Sequence, residues 1–187
     1  MRDPCAEGAD WNVVASAREG EFRAAIRALG EWGPVHRTPY YNVLVLRVDE
    51  PSGFAERFAE RVRQEPGVLN CLARVVPCEV TFDFADAAGF EEEATRAVLA
   101  WADRLAGKSF HVRMHRRGFK KQLSSQTEEQ RLDGALLQAL EQRGAPPGRI
   151  TFDDPDAIVA VETVGGRAGM SCWTREELRR YPFLGLD

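Results

Sequence analysis

Apolar residues in the first half of the chain follow two spacings, one typical of strands and one typical of helices. Short apolar runs at 11–17 and 41–48 predict buried strands. Residues 22–29 and 51–62 place apolar side chains three and four positions apart, which predicts a helix after each strand. Residues 68–84 again favour strand, with Pro77 interrupting the pattern. The strand–helix–strand order therefore occurs twice, as in a split βαβ, ferredoxin-like unit with an antiparallel sheet.

The second half continues with amphipathic helices and further strands. A composition change at 84–90 marks the predicted boundary in front of the first of these helices. Another helix is predicted from about residue 126, and the strands AIVAVETV and RAGMSCW are joined by Gly165-Gly166, a two-residue hairpin signal. The sequence therefore predicts an α+β protein, with a ferredoxin-like N-terminal domain at 1–84 and a second, α/β domain at 85–187.

Residues 109–117, SFHVRMHRR, alternate between apolar and cationic side chains, which predicts a half-buried strand. The inner face of this strand is predicted to carry Phe110, Val112 and Met114. The outer face is predicted to carry His111, Arg113, His115 and Arg117.

Charge is distributed unevenly between the two halves. Residues 1–106 hold 12 Lys and Arg against 18 Asp and Glu, a net charge of −6. Residues 107–187 hold 13 Lys and Arg against 11 Asp and Glu, a net charge of +2. The second half is therefore the better candidate for contact with a polyanion.

Cysteine spacing and hydropathy set the expected compartment. None of the four cysteines forms a C-x-x-C pair, which favours free thiols over a disulfide framework or a zinc site. The N-terminus lacks an apolar leader, and no run approaches the roughly 20 apolar residues of a membrane span. The sequence predicts a cytoplasmic protein without membrane association. The cysteines are Cys5, Cys71, Cys78 and Cys172.

The segment HVRMHRRGFKKQLSSQTEE, 111–129, carries the most informative chemistry. Five cations occur here with no intervening acid, and such an array neutralises phosphates and releases their counterions. The serines behind them open a helix, whose free N–H groups can hold an anion. Two alternatives stay open: the run is a solvated face, or Ser125 and Glu128 form a capping box that satisfies the same N–H groups. Phe119 is either a base-stacking residue or a core anchor. The cations are Arg113, Arg116, Arg117, Lys120 and Lys121.

Other candidates are weaker. His111 and His115 have no third ligand at metal-binding spacing, so no metal site is predicted and both are expected to add positive charge as pH falls. The acids around Pro155 indicate a turn more than a carboxylate site. Glu162 lies in an apolar strand, where it is either buried and paired or outward. Nucleotide-binding, hydrolase and deaminase motifs are absent, so the sequence predicts no catalytic site and no cofactor.

Residues 86–173 resemble the THUMP domain. The resemblance lies in KSFHVRMHRRG, in SSQTEEQRLDGALLQAL and in DDPDAIVAVETVGGRAGMSCW, in that order. Asp154-Pro155-Asp156, Glu162 and Ala168-Gly169-Met170 stand at the corresponding family positions. THUMP domains commonly follow a ferredoxin-like domain in tRNA-modifying enzymes. Because no methyltransferase, thiouridylase or deaminase domain follows here, the sequence resembles the stand-alone adaptors of a separate tRNA cytidine acetyltransferase.

The resemblance implies a non-catalytic protein that binds the tRNA acceptor stem and 3′ end and presents tRNA to a separate enzyme. It implies the cations above for phosphates, and Ser124, Ser125 and Gln126 for an anion site at the helix start. The alternative function is a small-ligand sensor or an oligomerisation module built on the ferredoxin-like half.

Overall fold

The computed structural model describes residues 9–186, which form two compact units. Within that range, the first unit contains residues 9–79 and 179–185. The second unit contains residues 80–178 and Leu186. The domain limits that the sequence suggests, with a boundary after residue 84, stay a prediction beside this division.

The first unit has the βαββαβ order of the ferredoxin-like unit, as predicted. Its four-stranded sheet has the order β2-β3-β1-β4, and every neighbouring pair is antiparallel. The predicted inner faces of both helices are buried, with Leu29 on the first helix and Phe54 and Phe58 on the second. The elements are β1 (Val13–Ala17), α1 (Phe22–Gly30), β2 (Val35–Arg37), β3 (Val43–Leu46), α2 (Pro51–Gln64), a 3₁₀ helix (Pro66–Asn70) and β4 (Leu72–Pro77).

The C-terminal segment 179–185 also packs in the first unit, although the sequence places it in the second domain. The ring of Phe183 lies 4.8 Å from that of Phe58, edge to face. The guanidinium Nε of Arg74 donates to the carbonyl of Gly185 at 2.9 Å. These contacts join residues far apart in sequence, which is why local patterning does not reveal them.

The second unit contains a five-stranded sheet of order β5-β9-β8-β6-β7. β6 is parallel to both of its neighbours, whereas β9 is antiparallel to β8 and β5. The predicted hairpin is confirmed, because β8 and β9 meet across Gly165-Gly166. The elements are β5 (Val80–Asp83), α3 (Ala87–Leu99), α4 (Ala102–Leu105), β6 (Ser109–His115), α5 (Ser125–Gln142), β7 (Arg149–Ile150), β8 (Ala157–Val164), β9 (Arg167–Thr174) and α6 (Arg175–Arg180), which precedes a 3₁₀ helix (Pro182–Leu184).

The inner face of β6 is the one that the alternation predicts. Phe110, Val112 and Met114 are buried in the core of the second unit, against the apolar stripes of α3 and α5. Residues 68–84 contain strand that is interrupted next to Pro77, as the sequence predicts. They divide at Cys78-Glu79 into β4 and β5, which belong to different sheets.

Among the described residues, Cys71, Cys78 and Cys172 are buried thiols. The prediction for Cys5 lies outside the described residues. Among residues 9–186, no helix combines the length and apolar character needed to cross a membrane.

Candidate nucleic-acid interface

The segment between β6 and α5 is anchored to the core at two points. Phe119, in the left-handed region at φ 50°, packs against the core with its ring 4.9 Å from that of Phe84. Leu123 is buried four residues later. Phe119 is therefore a core anchor, the second of the two alternatives. Lys120 and Lys121 lie exposed between the two anchors.

Within residues 9–186, four of the five predicted cations have no carboxylate partner. Arg113 is half-buried on β6, and within residues 9–186 no acid lies within ion-pair distance of it. Arg116 donates from Nη1 to the carbonyl of Gly118 at 2.7 Å, and its buried Nε has no partner within the described range. Lys120 and Lys121 likewise have no ion pair there. Their charge is available to an external anion.

Arg117 differs from the other four, and its prediction as an outward cation needs correction. Its Nη1 donates to Oε2 of Glu162 at 2.6 Å, and its side chain is only 13% exposed. Its backbone N–H donates to Oγ1 of Thr163 at 2.9 Å. The physical reason is that a carboxylate buried in a sheet needs a cation beside it to stay ionised. The charge of Arg117 is therefore neutralised inside the protein by Glu162.

Glu162 is the buried, paired carboxylate of the two alternatives for this residue. It lies opposite His115 in the β6–β8 register and is fully buried. Its Oε1 lies 3.4 Å from Nδ1 of His115, whose side chain is 31% exposed. Glu162 therefore joins the end of β6 to the first residues of the basic segment.

His111 does not behave as the outer-face cation that the alternation predicts. It is buried, and its Nδ1 lies 2.9 Å from the carbonyl oxygen of Thr151, which requires the proton on Nδ1. Burial lowers the pKa of His111 below its ordinary value. It therefore stays neutral over a wider pH range than a free histidine.

The start of α5 is capped one residue earlier than predicted. Ser124 is the N-cap, in extended conformation, and its Oγ accepts from the N–H of Thr127 at 3.4 Å. Ser125 is instead the first helical residue. Glu128 is buried and pairs with Nε of Arg131 at 2.8 Å, so the capping box that was one of the two alternatives does not form. Ser124, Ser125 and Gln126 remain predicted anion-binding residues.

Two acids of α5 cover part of the β6 edge, and sequence reasoning missed both. β7 pairs only with Ser109 and Phe110, which leaves later N–H groups of β6 without a strand partner on that side. Oδ1 of Asp133 accepts from the N–H of Val112 at 2.8 Å, and Oε1 of Glu129 accepts from the N–H of Met114 at 2.7 Å. Burial raises the pKa of Asp133 to about 7. The available signal was an aspartate inside the apolar stripe of a helix.

The sequence is similar to that of a curated protein. The chain is 28% identical over 144 residues to a tRNA sulfurtransferase of Shewanella pealeana. The match covers 77% of this chain and 27% of that protein, so the chain spans about a quarter of its relative. No family model matches the chain.

Solved structures share the fold. PH1313 from Pyrococcus horikoshii has a TM-score of 0.61 at 12% identity, covering 88% of this chain and 54% of that one. TrmN from Thermus thermophilus has a TM-score of 0.60 at 18% identity, and the match covers 87% of this chain and 45% of that one. A 4-thiouridine synthetase, solved with RNA and bound ATP, has a TM-score of 0.54 at 12% identity, and the match covers 88% of this chain and 42% of that one.

These names overturn one expectation from the sequence, that the protein is not an enzyme. The curated relative is named a sulfurtransferase and one structural neighbour a synthetase, and both names denote enzymes. The same two proteins support the resemblance to THUMP-type tRNA-modification proteins.

Proposed function

We propose that this chain binds tRNA for tRNA modification, at the acceptor stem and 3′ end, through the segment between residues 113 and 121. The observation that carries the proposal is the set of cations there without a carboxylate partner in the described range. We call this set the open cations. It consists of Arg113, Arg116, Lys120 and Lys121.

The open cations suit a phosphate backbone for an energetic reason. A cation already paired with a carboxylate must lose that partner before it can hold a phosphate, which cancels most of the gain. An unpaired surface cation gives up only water and releases condensed counterions from the RNA. Arg117 enters this proposal as a positioning residue, because its pair with Glu162 fixes the start of the basic segment.

The finer part of the proposal concerns what happens to the bound tRNA. We propose that it is held for a catalytic centre of the modification reaction, in keeping with the names of the relatives. Presentation to a separate enzyme, such as an acetyltransferase, is the form that the sequence resemblance implies.

Charge reversal of the open cations tests the RNA-binding proposal. The variant Arg113→Glu, Lys120→Glu, Lys121→Glu alters exposed or half-buried side chains and leaves the Arg117 pair intact. Its affinity for unmodified tRNA should fall at least tenfold, equivalent to about 1.4 kcal/mol or more. Arg117→Glu is unsuitable as a test, because it would place two carboxylates together in a buried site.

A control with two charge reversals exists in the first unit. Arg23 and Arg27 are exposed on α1, and Arg23→Glu with Arg27→Glu should leave tRNA affinity within about twofold of wild type. Both variants should keep native melting curves, since exposed charges contribute little to stability. Equal weakening by the two variants would contradict the proposed site and favour a role for the ferredoxin-like unit.

Nucleoside analysis tests the finer part. The purified protein is incubated with unmodified tRNA and sulfur, methyl or acetyl donors, and the nucleosides are analysed by mass spectrometry. A donor-dependent product would support a catalytic centre in this protein. A product that forms only after an acetyltransferase is added would support presentation to a separate enzyme.

A further inference from the structure

We propose that Phe152 is a stacking platform for one unpaired nucleobase of the bound RNA. This inference rests on the proposed function and extends it from phosphates to bases. Phe152 is 72% exposed, at the end of β7. A single exposed apolar residue is common on protein surfaces and means little alone. Its setting provides the argument.

The ring of Phe152 lies on a fixed support. Its centroid is 4.9 Å from that of the buried His111, which is itself bonded to the carbonyl of Thr151. Oγ1 of Thr151 also lies 3.4 Å from the N–H of Asp153, on the other side of Phe152. The ring of Phe152 therefore packs against His111, and a hydrogen bond between Thr151 and Asp153 closes the turn that carries it.

The rest of the loop is held by charged groups. Arg175 bridges two carboxylates, with Nε 3.1 Å from Oδ1 of Asp154 and Nη1 3.0 Å from Oδ1 of Asp156. Asp156 also accepts from the N–H and the hydroxyl of Ser109, at 2.8 and 2.9 Å. Such a loop loses little further entropy when a ligand docks on it, so an exposed ring there is preorganised for binding.

The surrounding charges select the part of a nucleotide that fits. Asp153 is exposed directly after Phe152, and its carboxylate repels phosphate. A base carries no charge and presents a π-face, which stacks on an aromatic ring whatever its sequence. Arg113 lies two residues beyond His111 on β6, about 7 Å along the strand. The geometry points to a base on Phe152 with its phosphate towards Arg113.

Because the proposal requires an unpaired base, the test compares RNA with and without a single-stranded end. Two RNA probes share one duplex: one ends blunt and the other carries a single-stranded 3′ overhang. Phe152→Ala should weaken binding of the overhang probe by about 5- to 150-fold, the range for loss of one stacked base. Binding of the blunt probe should change less than twofold. Phe152→Trp should keep overhang binding, because it keeps the stacking face.

Tyr41 supplies the matched control. It is 79% exposed in the first unit, and Tyr41→Ala should leave both probes unaffected. Equal losses for both probes in Phe152→Ala, or no loss for either, would overturn the platform. If Phe152→Ala changes neither probe, the variant with Arg113, Lys120 and Lys121 changed to Glu separates the two proposals. Weaker binding of the blunt probe by that variant would show that the proposed function still stands. Wild-type protein that binds neither probe would overturn both.

Discussion

Helix α2 and the segment at 113–121 are both rich in arginine or lysine, yet their cations have opposite surroundings. On α2, Arg57 pairs with Glu50 at 2.9 Å, and Arg63 pairs with Glu60 at 2.6 Å. Arg61 pairs with Glu31 at 2.9 Å. Among the open cations, no such pair occurs within residues 9–186.

The comparison shows that cation density alone does not locate a polyanion-binding surface. The α2 pairs neutralise charge at short range, so little field extends to an approaching phosphate. The open cations keep their field. A second contrast lies inside the basic segment itself, where Arg117 is paired and shielded and its neighbours are not.

The largest effect is expected on stability, when the buried pair is broken. Glu162→Ala leaves the shielded Arg117 cation without its carboxylate and should reduce the free energy of unfolding by about 3–5 kcal/mol. Glu50→Ala breaks an exposed pair on α2 and should cost less than about 1 kcal/mol. Denaturant unfolding of the full chain measures both. Similar small losses would mean that Arg117 is readily solvated and belongs with the open cations.

The next effect concerns Asp133 and pH. The folded-state pKa of about 7 lies above the ordinary value of 3.8, so the folded protein binds the proton more strongly than the unfolded chain. Stability contributed by this proton is fully present below pH 3.8 and is lost as pH rises towards 7. Asp133→Asn keeps an oxygen for the Val112 N–H and removes the buried charge.

Asp133→Asn should therefore stabilise the protein by about 1–3 kcal/mol at pH 8, and by much less near pH 4. Unfolding free energies of both proteins at the two pH values give the answer. A gain that does not depend on pH would show that packing, and not ionisation, is responsible.

The smallest effect separates a helix cap from an anion ligand. Ser124→Ala removes the hydroxyl that caps Thr127 and should cost about 0.5–1 kcal/mol of stability. The tRNA affinity should stay unchanged, because that hydroxyl is already engaged and the predicted anion site uses backbone N–H groups, which the substitution keeps. A tenfold loss of affinity without loss of stability would instead make Ser124 an RNA ligand.

Much of the fold was readable from local patterns, and so was part of the site. The alternation in β6 correctly assigned Phe110, Val112 and Met114 to the core. The acid-free run indicated the open cations. The same alternation failed for Arg117, because its partner Glu162 is distant in sequence and meets it only through the β6–β8 register.

Features outside a local period were not predictable. The exposure of Phe152 depends on how the chain leaves β7, which hydropathy does not specify. From the sequence, Asp133 is only a polar residue within the apolar stripe of a helix. Its role becomes visible in the structure, where it accepts a hydrogen bond from the N–H of Val112 on the strand edge. Ser124 and Ser125 are chemically equal caps, and only the backbone conformation selects between them.

The salt dependence of tRNA binding tests the central claim most directly. Four open cations give a log–log slope of about −2.8 to −3.6 for the wild-type protein. Arg113→Gln, Lys120→Gln, Lys121→Gln should reduce the magnitude of that slope by about 2–2.7. Arg57→Gln, Arg61→Gln, Arg63→Gln removes the same charge from α2 and should leave the slope unchanged. Equal reductions in the two triple variants would contradict the account, because they would show that paired and open cations contribute alike.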